Sequence, residues 1–133
     1  MIGLASFLLA HLAYLVAFTS DIPTGASPAL LLPLLAGVIL LLRLLWPGLG
    51  RLRLPVLLYT ATILLMVWQA WGRSQLHPGP GSALAAAGAT LFMASDALLA
   101  LNRFRRPFRN AQVMVMTSYV AAQALIALSV STV

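Results

Sequence analysis

Asp96 is one of only two acidic residues in the chain, and it sits in GATLFMASDALLALNRF (88–104), a run of apolar and small residues. An ionisable group carried to mid-membrane depth costs at least ~2.5–3.5 kcal/mol on insertion scales. Its default place is therefore a bundle interior or a wet cavity, where it is a functional candidate. A carboxyl group enclosed by apolar surroundings suits general acid or base work near neutral pH. The plainer reading is that Asp96 pairs with an arginine or closes a polar contact between helices. Other polar side chains recur at helical spacing. Phe7, His11, Tyr14 and Phe18 share one stripe, and Tyr59, Thr62, Met66, Gln69 and Arg73 a second. Ala85, Gly88, Ala89, Phe92, Asp96, Leu99 and Arg103 share a third, and Gln112, Met116, Tyr119 and Gln123 a fourth. Polar groups in hydrocarbon must find partners, and these stripes are most simply satisfied by facing one another around a shared cavity. The site expected on this basis has Asp96 as the acid or base, with His11, Tyr14, Tyr59, Tyr119 and Gln123 around the substrate. Separate hydrogen bonds between helices, with no cavity, are the plain alternative.

The elements that must position these residues are legible from composition. A chain of 133 residues that is 62% hydrophobic and 8% charged has too little polar surface to clothe a water-soluble globule, and it reads as an integral membrane protein. The expected fold is all-α, a polytopic transmembrane helix bundle forming a single domain over 1–133. Five apolar runs are long enough to cross a ~30 Å hydrocarbon core as helix, at about 2–19, 29–45, 54–71, 82–101 and 111–131. The first contains His11, Tyr14 and Phe18 and has no basic leader, so it reads as a retained span rather than a signal peptide. The connectors DIPTGASP, WPGLGRLRLP, RSQLHPGPGS and NRFRRPFRN read as turns. Ser27 with Pro28, Pro55 and Asn110 suit the starts of the second, third and fifth helices. In the second helix Pro33 and Gly37 interrupt an otherwise apolar surface, which predicts a peripheral, lipid-facing position.

Net charge is +6, from eight arginines and no lysine against Asp21 and Asp96. Arg43, Arg51, Arg53, Arg103, Arg105, Arg106 and Arg109 fall on one side of the predicted bundle and Arg73 on the other. The positive-inside bias then places the N-terminus in the cytoplasm. No basic stripe is interleaved with exposed aromatics, so a nucleic-acid partner is not expected. Trp46, Trp68 and Trp71 fall near helix ends, as interfacial anchors do. With no cysteine, thiolate and cysteine-ligated metal chemistry are excluded. P-loop, G-x-S-x-G, H-E-x-x-H and dinucleotide fingerprints are absent, no metal site or cofactor is expected, and His77 reads as a loop residue.

The opening FLLAHLAYLVAF, the stretch GATLFMASDALLALNRFRRPF and the closing SYVAAQALIALS together resemble the YhhN family of membrane proteins, whose animal members are TMEM86-type lysoplasmalogenases. The resemblance runs over essentially the whole chain in order. It implies a membrane hydrolase, in a bacterial inner membrane, that cleaves the vinyl ether bond of a lysophospholipid to a fatty aldehyde and a glycerophospho-head-group. Asp96 matches the acid of the family's second half, and His11, Tyr14, Tyr119 and Gln123 match polar positions around it. The resemblance also implies an eight-helix fold, with roughly three helices ahead of the one that opens this chain and a Gly-Asp motif supplying another acid. Met1 falls just ahead of FLLAHLAY, and Asp21, in a turn before Pro23, does not replace that acid. The expectation is therefore a chain truncated by a misplaced start codon, with an inactive form or pairing with a second polypeptide as alternatives. The competing function is a non-catalytic lipid-binding or transporter-like bundle in which Asp96 holds a cation or a head-group amine.

Overall fold

The computed structural model describes Ser6, Leu9, Ala10, Leu12, Ala13, Val16 and residues 27–131. The described chain is helical and contains no strand among the described residues. Four helices follow in order: α1 (Pro28–Leu49), α2 (Arg53–Leu76), α3 (Pro80–Phe104) and α4 (Ala111–Ser131). A single 3-10 turn, Gly50–Leu52, joins the first two. Most of the predicted span at 2–19, with His11, Tyr14 and Asp21, lies outside the described residues.

Three continuous helical runs among the described residues are long and apolar enough to cross a membrane: Pro28–Leu76, Pro80–Phe104 and Ala111–Ser131. The first is 49 residues long, about twice what a bilayer core needs, and it doubles back on itself. Gly50 makes that possible with φ 48°, a left-handed conformation that glycine adopts without a Cβ clash. Two contacts at opposite ends show α1 and α2 running antiparallel. The Ser27 amide donates to Gln75 Oε1 at 3.4 Å, and Leu45 and Leu49 cluster with Val56. Helices α1 and α2 run four and five residues beyond their apolar stretches at the C-terminal end, and α3 runs two and three residues beyond its stretch at its two ends. Hydropathy stops where polar residues begin, but a helix continues as long as its backbone bonds and packing persist. Leu49 is 2% exposed against the α2–α3 cluster, so α1 stays helical through Pro47 and Gly48.

The core lies between α2, α3 and α4. Tyr59, Ile63, Met66, Val67 and Ala70 of α2 meet Ala85, Ala86, Ala89 and Phe92 of α3 and Ala122 of α4. Helix α1 contributes little beyond Leu34 at this cluster and leaves Leu32, Leu35, Ile39, Leu40 and Leu44 exposed. Bare aliphatic surface of this kind is at home against acyl chains. The most extensive pairing is α3 with α4. It follows from small residues on α3, since lipid gives helices no hydrophobic reason to associate and close backbone approach must supply the contact. A Cβ built at Gly88 would stand 2.8 Å from Ile126 Cγ1 and 3.0 Å from the Ala122 carbonyl oxygen.

Asn110 stands at the start of α4 as its residue type suggests, with φ 68°, a conformation asparagine tolerates, and its carbonyl accepts from the Met114 amide. One local expectation changes. Trp68 is not a helix-end anchor, since its indole nitrogen is buried and has no hydrogen-bond partner. Trp71 and Trp46 do have polar company: the Trp71 indole donates to Thr90 Oγ1 at 3.0 Å, and the Arg53 guanidinium lies 4.8 Å from the Trp46 ring centroid.

Gly88→Ala should lower the thermal unfolding midpoint in detergent, because overpacking a tight contact costs about 1–3 kcal/mol. Gly37→Ala, where an added Cβ meets nothing within 4 Å, should leave it unchanged or raise it. Equal effects at the two glycines would show that α3 and α4 do not approach so closely.

Candidate functional site

Asp96 stands eight residues before the end of α3, about 12 Å along its axis, and so well inside a bilayer core entered from that end. Small and apolar residues on the same helix bury it in part, and the neighbouring α2 supplies its partner. Tyr59, 8% exposed, donates its phenolic O–H to Asp96 Oδ1 at 2.9 Å. Among the described residues no arginine forms an ion pair with Asp96, so the plainer reading of the acid as half of a salt bridge does not hold there.

Two hollows flank the carboxyl group. One, of about 390 Å³, lies between α1, α2 and α3. Leu41, Leu45, Val56, Ile63 and Met93 give it an apolar wall, and Tyr59, Thr60, Asp96 and Arg103 are its polar groups. That volume is at the lower end of the range for small-molecule sites, and a largely apolar wall with a few convergent polar groups is what such sites show. The other, of about 240 Å³, lies between α3 and α4 and is lined by Ser95, Asp96, Asn102, Gln112 and Tyr119 with Phe92, Leu99 and Met116.

The expected single cavity is thus divided among the described residues, because α3 itself stands between α2 and α4. Tyr59 reaches Asp96 from one side. Tyr119 faces the second hollow, with its ring 5.7 Å from that of Phe92 and tilted by 59°. Gln123 lies one turn beyond Tyr119 on α4, half-buried, and lines neither hollow. His11 and Tyr14 lie outside the described residues. His77 is in the loop before α3, where its carbonyl accepts from Ser82 Oγ at 2.7 Å.

Sequence reasoning passed over one contributor. Ser95, 2% exposed, donates to the Val115 carbonyl at 3.1 Å and ties α3 to α4 beside the acid. A serine beside the aspartate in a membrane helix was the available signal, but helical serines more often bond within their own helix, as Ser118 does to Met114. Arg103, which spacing already puts on the face of α3 that carries Asp96, lines the larger hollow with it.

These features define a polytopic helical membrane protein with a carboxyl–phenol pair at its polar centre. Sequence comparison places it more closely. The chain belongs to the YhhN family, whose model matches residues 1–130. It is 39% identical over 133 residues to "Lysoplasmalogenase TMEM86B" of Sus scrofa, a match covering 97% of this chain and 53% of the relative. To "Lysoplasmalogenase TMEM86A" of Bos taurus it is 37% identical, over 96% of this chain and 53% of the relative. To the Escherichia coli O157:H7 membrane protein YhhN it is 30% identical, over 95% and 61%. The chain therefore spans about half the length of the lysoplasmalogenases it matches. No solved structure matches it.

Tyr59→Phe removes the one donor that the described structure gives Asp96. The carboxyl stretching band of Asp96, assigned by its loss in Asp96→Asn, should shift in the infrared spectrum of Tyr59→Phe, with helix content unchanged. The substitution leaves the carboxyl group without this donor, so about 1–3 kcal/mol of stability should also be lost. An unmoved band would mean that the phenol does not bond the acid.

Proposed function

We propose that this chain carries the acid–base centre of a lysoplasmalogenase-like hydrolase, in a single domain of five spans with the N-terminus in the cytoplasm of a bacterial cell. The observation that carries the reading is the placement of Asp96: a carboxyl group hydrogen-bonded to a phenol in the wall of a mostly apolar hollow, with no cation paired to it among the described residues. The family supports it, since relatives covering nearly all of this chain carry the name lysoplasmalogenase. Bacterial relatives such as the Escherichia coli protein support the membrane assignment, and the arginine distribution supports the orientation.

Hydrolysis of a vinyl ether begins with a proton delivered to the outer alkenyl carbon. The carbon bonded to oxygen becomes an oxocarbenium, water adds to it, and the resulting hemiacetal loses a proton and collapses to an aldehyde and the free glycerol hydroxyl. One water is consumed and the acid recovers its proton. Asp96 is the group placed to give and retake that proton. The Tyr59 hydroxyl, by donating to Oδ1, leaves Oδ2 as the oxygen free to act. The apolar wall of the larger hollow suits an alkenyl chain, and the bilayer delivers such a substrate laterally between helices.

Asp96→Asn should abolish aldehyde release from a lysoplasmalogen, a fall of at least ~100-fold if proton transfer is the work lost, while the protein stays folded in detergent. Retained turnover would remove Asp96 from the chemistry. Tyr119→Phe, which loses only a hydroxyl facing the smaller hollow, should cost less. A loss equal to that of Asp96→Asn would make Tyr119 a partner in proton transfer.

A further inference from the structure

We propose that Arg103 is the phosphate-recognising residue of the larger hollow, which would then select a single-chain amphiphile by a phosphate ester held at the arginine end of the bundle. This rests on the reading of that hollow as the substrate site.

Arg103 and Asp96 both line the hollow, and they are its two charged residues. They are seven residues apart on α3, so they lie on one face of the helix and about 10.5 Å apart along its axis. At that separation they do not neutralise one another. Asp96 is hydrogen-bonded to Tyr59, and Arg103 makes no hydrogen bond or ion pair among the described residues. The cavity thus has a proton-handling group at depth and a free guanidinium at its rim, with aliphatic wall around both. A glycerol phosphate ester matches that polarity, since its ether oxygen and its phosphorus are separated by the glycerol backbone and its chain is apolar. A planar guanidinium fork fits phosphate oxygens in a way a compact ammonium does not.

Arginine near a helix C-terminus has a bland explanation, favourable interaction with the helix dipole and with the arginine-rich side of a membrane. The arginine-rich side of the membrane accounts equally for Arg43, Arg51, Arg105, Arg106 and Arg109, none of which lines the hollow. Arg53 is occupied by the Trp46 ring. Arg103 is also better anchored than the loop arginines that follow it. The carbonyl of the adjacent Phe104 lies so close to Gly48 of α1 that no Cβ could stand between them, which fixes the end of α3 against α1.

The test uses the purified full chain in lipid nanodiscs and compares equilibrium binding of lysophosphatidylethanolamine with that of a monoacylglycerol of the same acyl chain. Binding is measured rather than turnover, so the result does not depend on catalytic competence. The wild-type chain should favour the phosphate-bearing amphiphile by roughly ten-fold or more, as loss of a charge-assisted pair implies. Arg103→Gln should erase that preference while binding the monoacylglycerol as before, which also reports a folded cavity. Arg103→Lys, with the charge but not the fork, should keep part of the preference, and Arg105→Gln should keep all of it. A preference intact in Arg103→Gln, or lost equally in Arg105→Gln, overturns the assignment. Equal wild-type binding of both amphiphiles overturns it too and leaves the hydrolase reading standing. Binding of neither would overturn the substrate hollow itself.

Discussion

A phenol donating to a carboxyl group across the α2–α3 interface is the contact to which the bundle must conform. In hydrocarbon neither group has water to fall back on, so separating them leaves two unsatisfied polar groups where each costs several kcal/mol. The pair therefore sets the register of α2 against α3. With Tyr59 fixed opposite Asp96, the alanines at 85, 86 and 89 meet Met66, Val67 and Ala70 further along the same interface. The apolar contacts add area, but they would tolerate sliding. The hydrogen bond does not, because its partners must come within 2.9 Å.

Much of this arrangement can be read from the residues. An aspartate in a run of small and apolar residues marks the polar centre of α3, and the three-and-four spacing from Tyr59 through Thr62 and Met66 marks the inward face of α2. What spacing cannot give is the order of helices around the centre. It assigns each stripe an inward direction, and from direction alone Tyr59 and Tyr119 are equivalent neighbours of Asp96. Packing separates them: α3 lies between α2 and α4, so one tyrosine bonds the acid while the other lies tilted against Phe92 beside a different hollow. Tryptophan position misled for a related reason. Nearness to a helix end says how deep Trp68 sits but not which way its indole nitrogen points, and that nitrogen is buried without a partner. Spacing puts Arg103 on the face of α3 that carries Asp96, but only packing shows the hollow that both residues line.

The hollows themselves follow from where glycine permits contact. Eight residues into α3, Gly88 lets α4 approach until Ala122 and Ile126 are against its backbone. At the C-terminal end of α3, Gly48 of α1 meets the carbonyl of Phe104. Helix α3 is thus gripped at two points, by different helices and on different faces. Asp96 falls between the two grips, eight residues from each of Gly88 and Phe104. Here the neighbours present larger side chains, Leu41 and Leu45 from α1 and Val115 and Met116 from α4, which hold the backbones apart. Space beside the carboxyl group is what remains when two close approaches bracket a stretch that cannot close. A side chain larger than hydrogen at either glycine would push α3 away from its neighbour and alter the hollow on that side of the acid, without touching the acid itself.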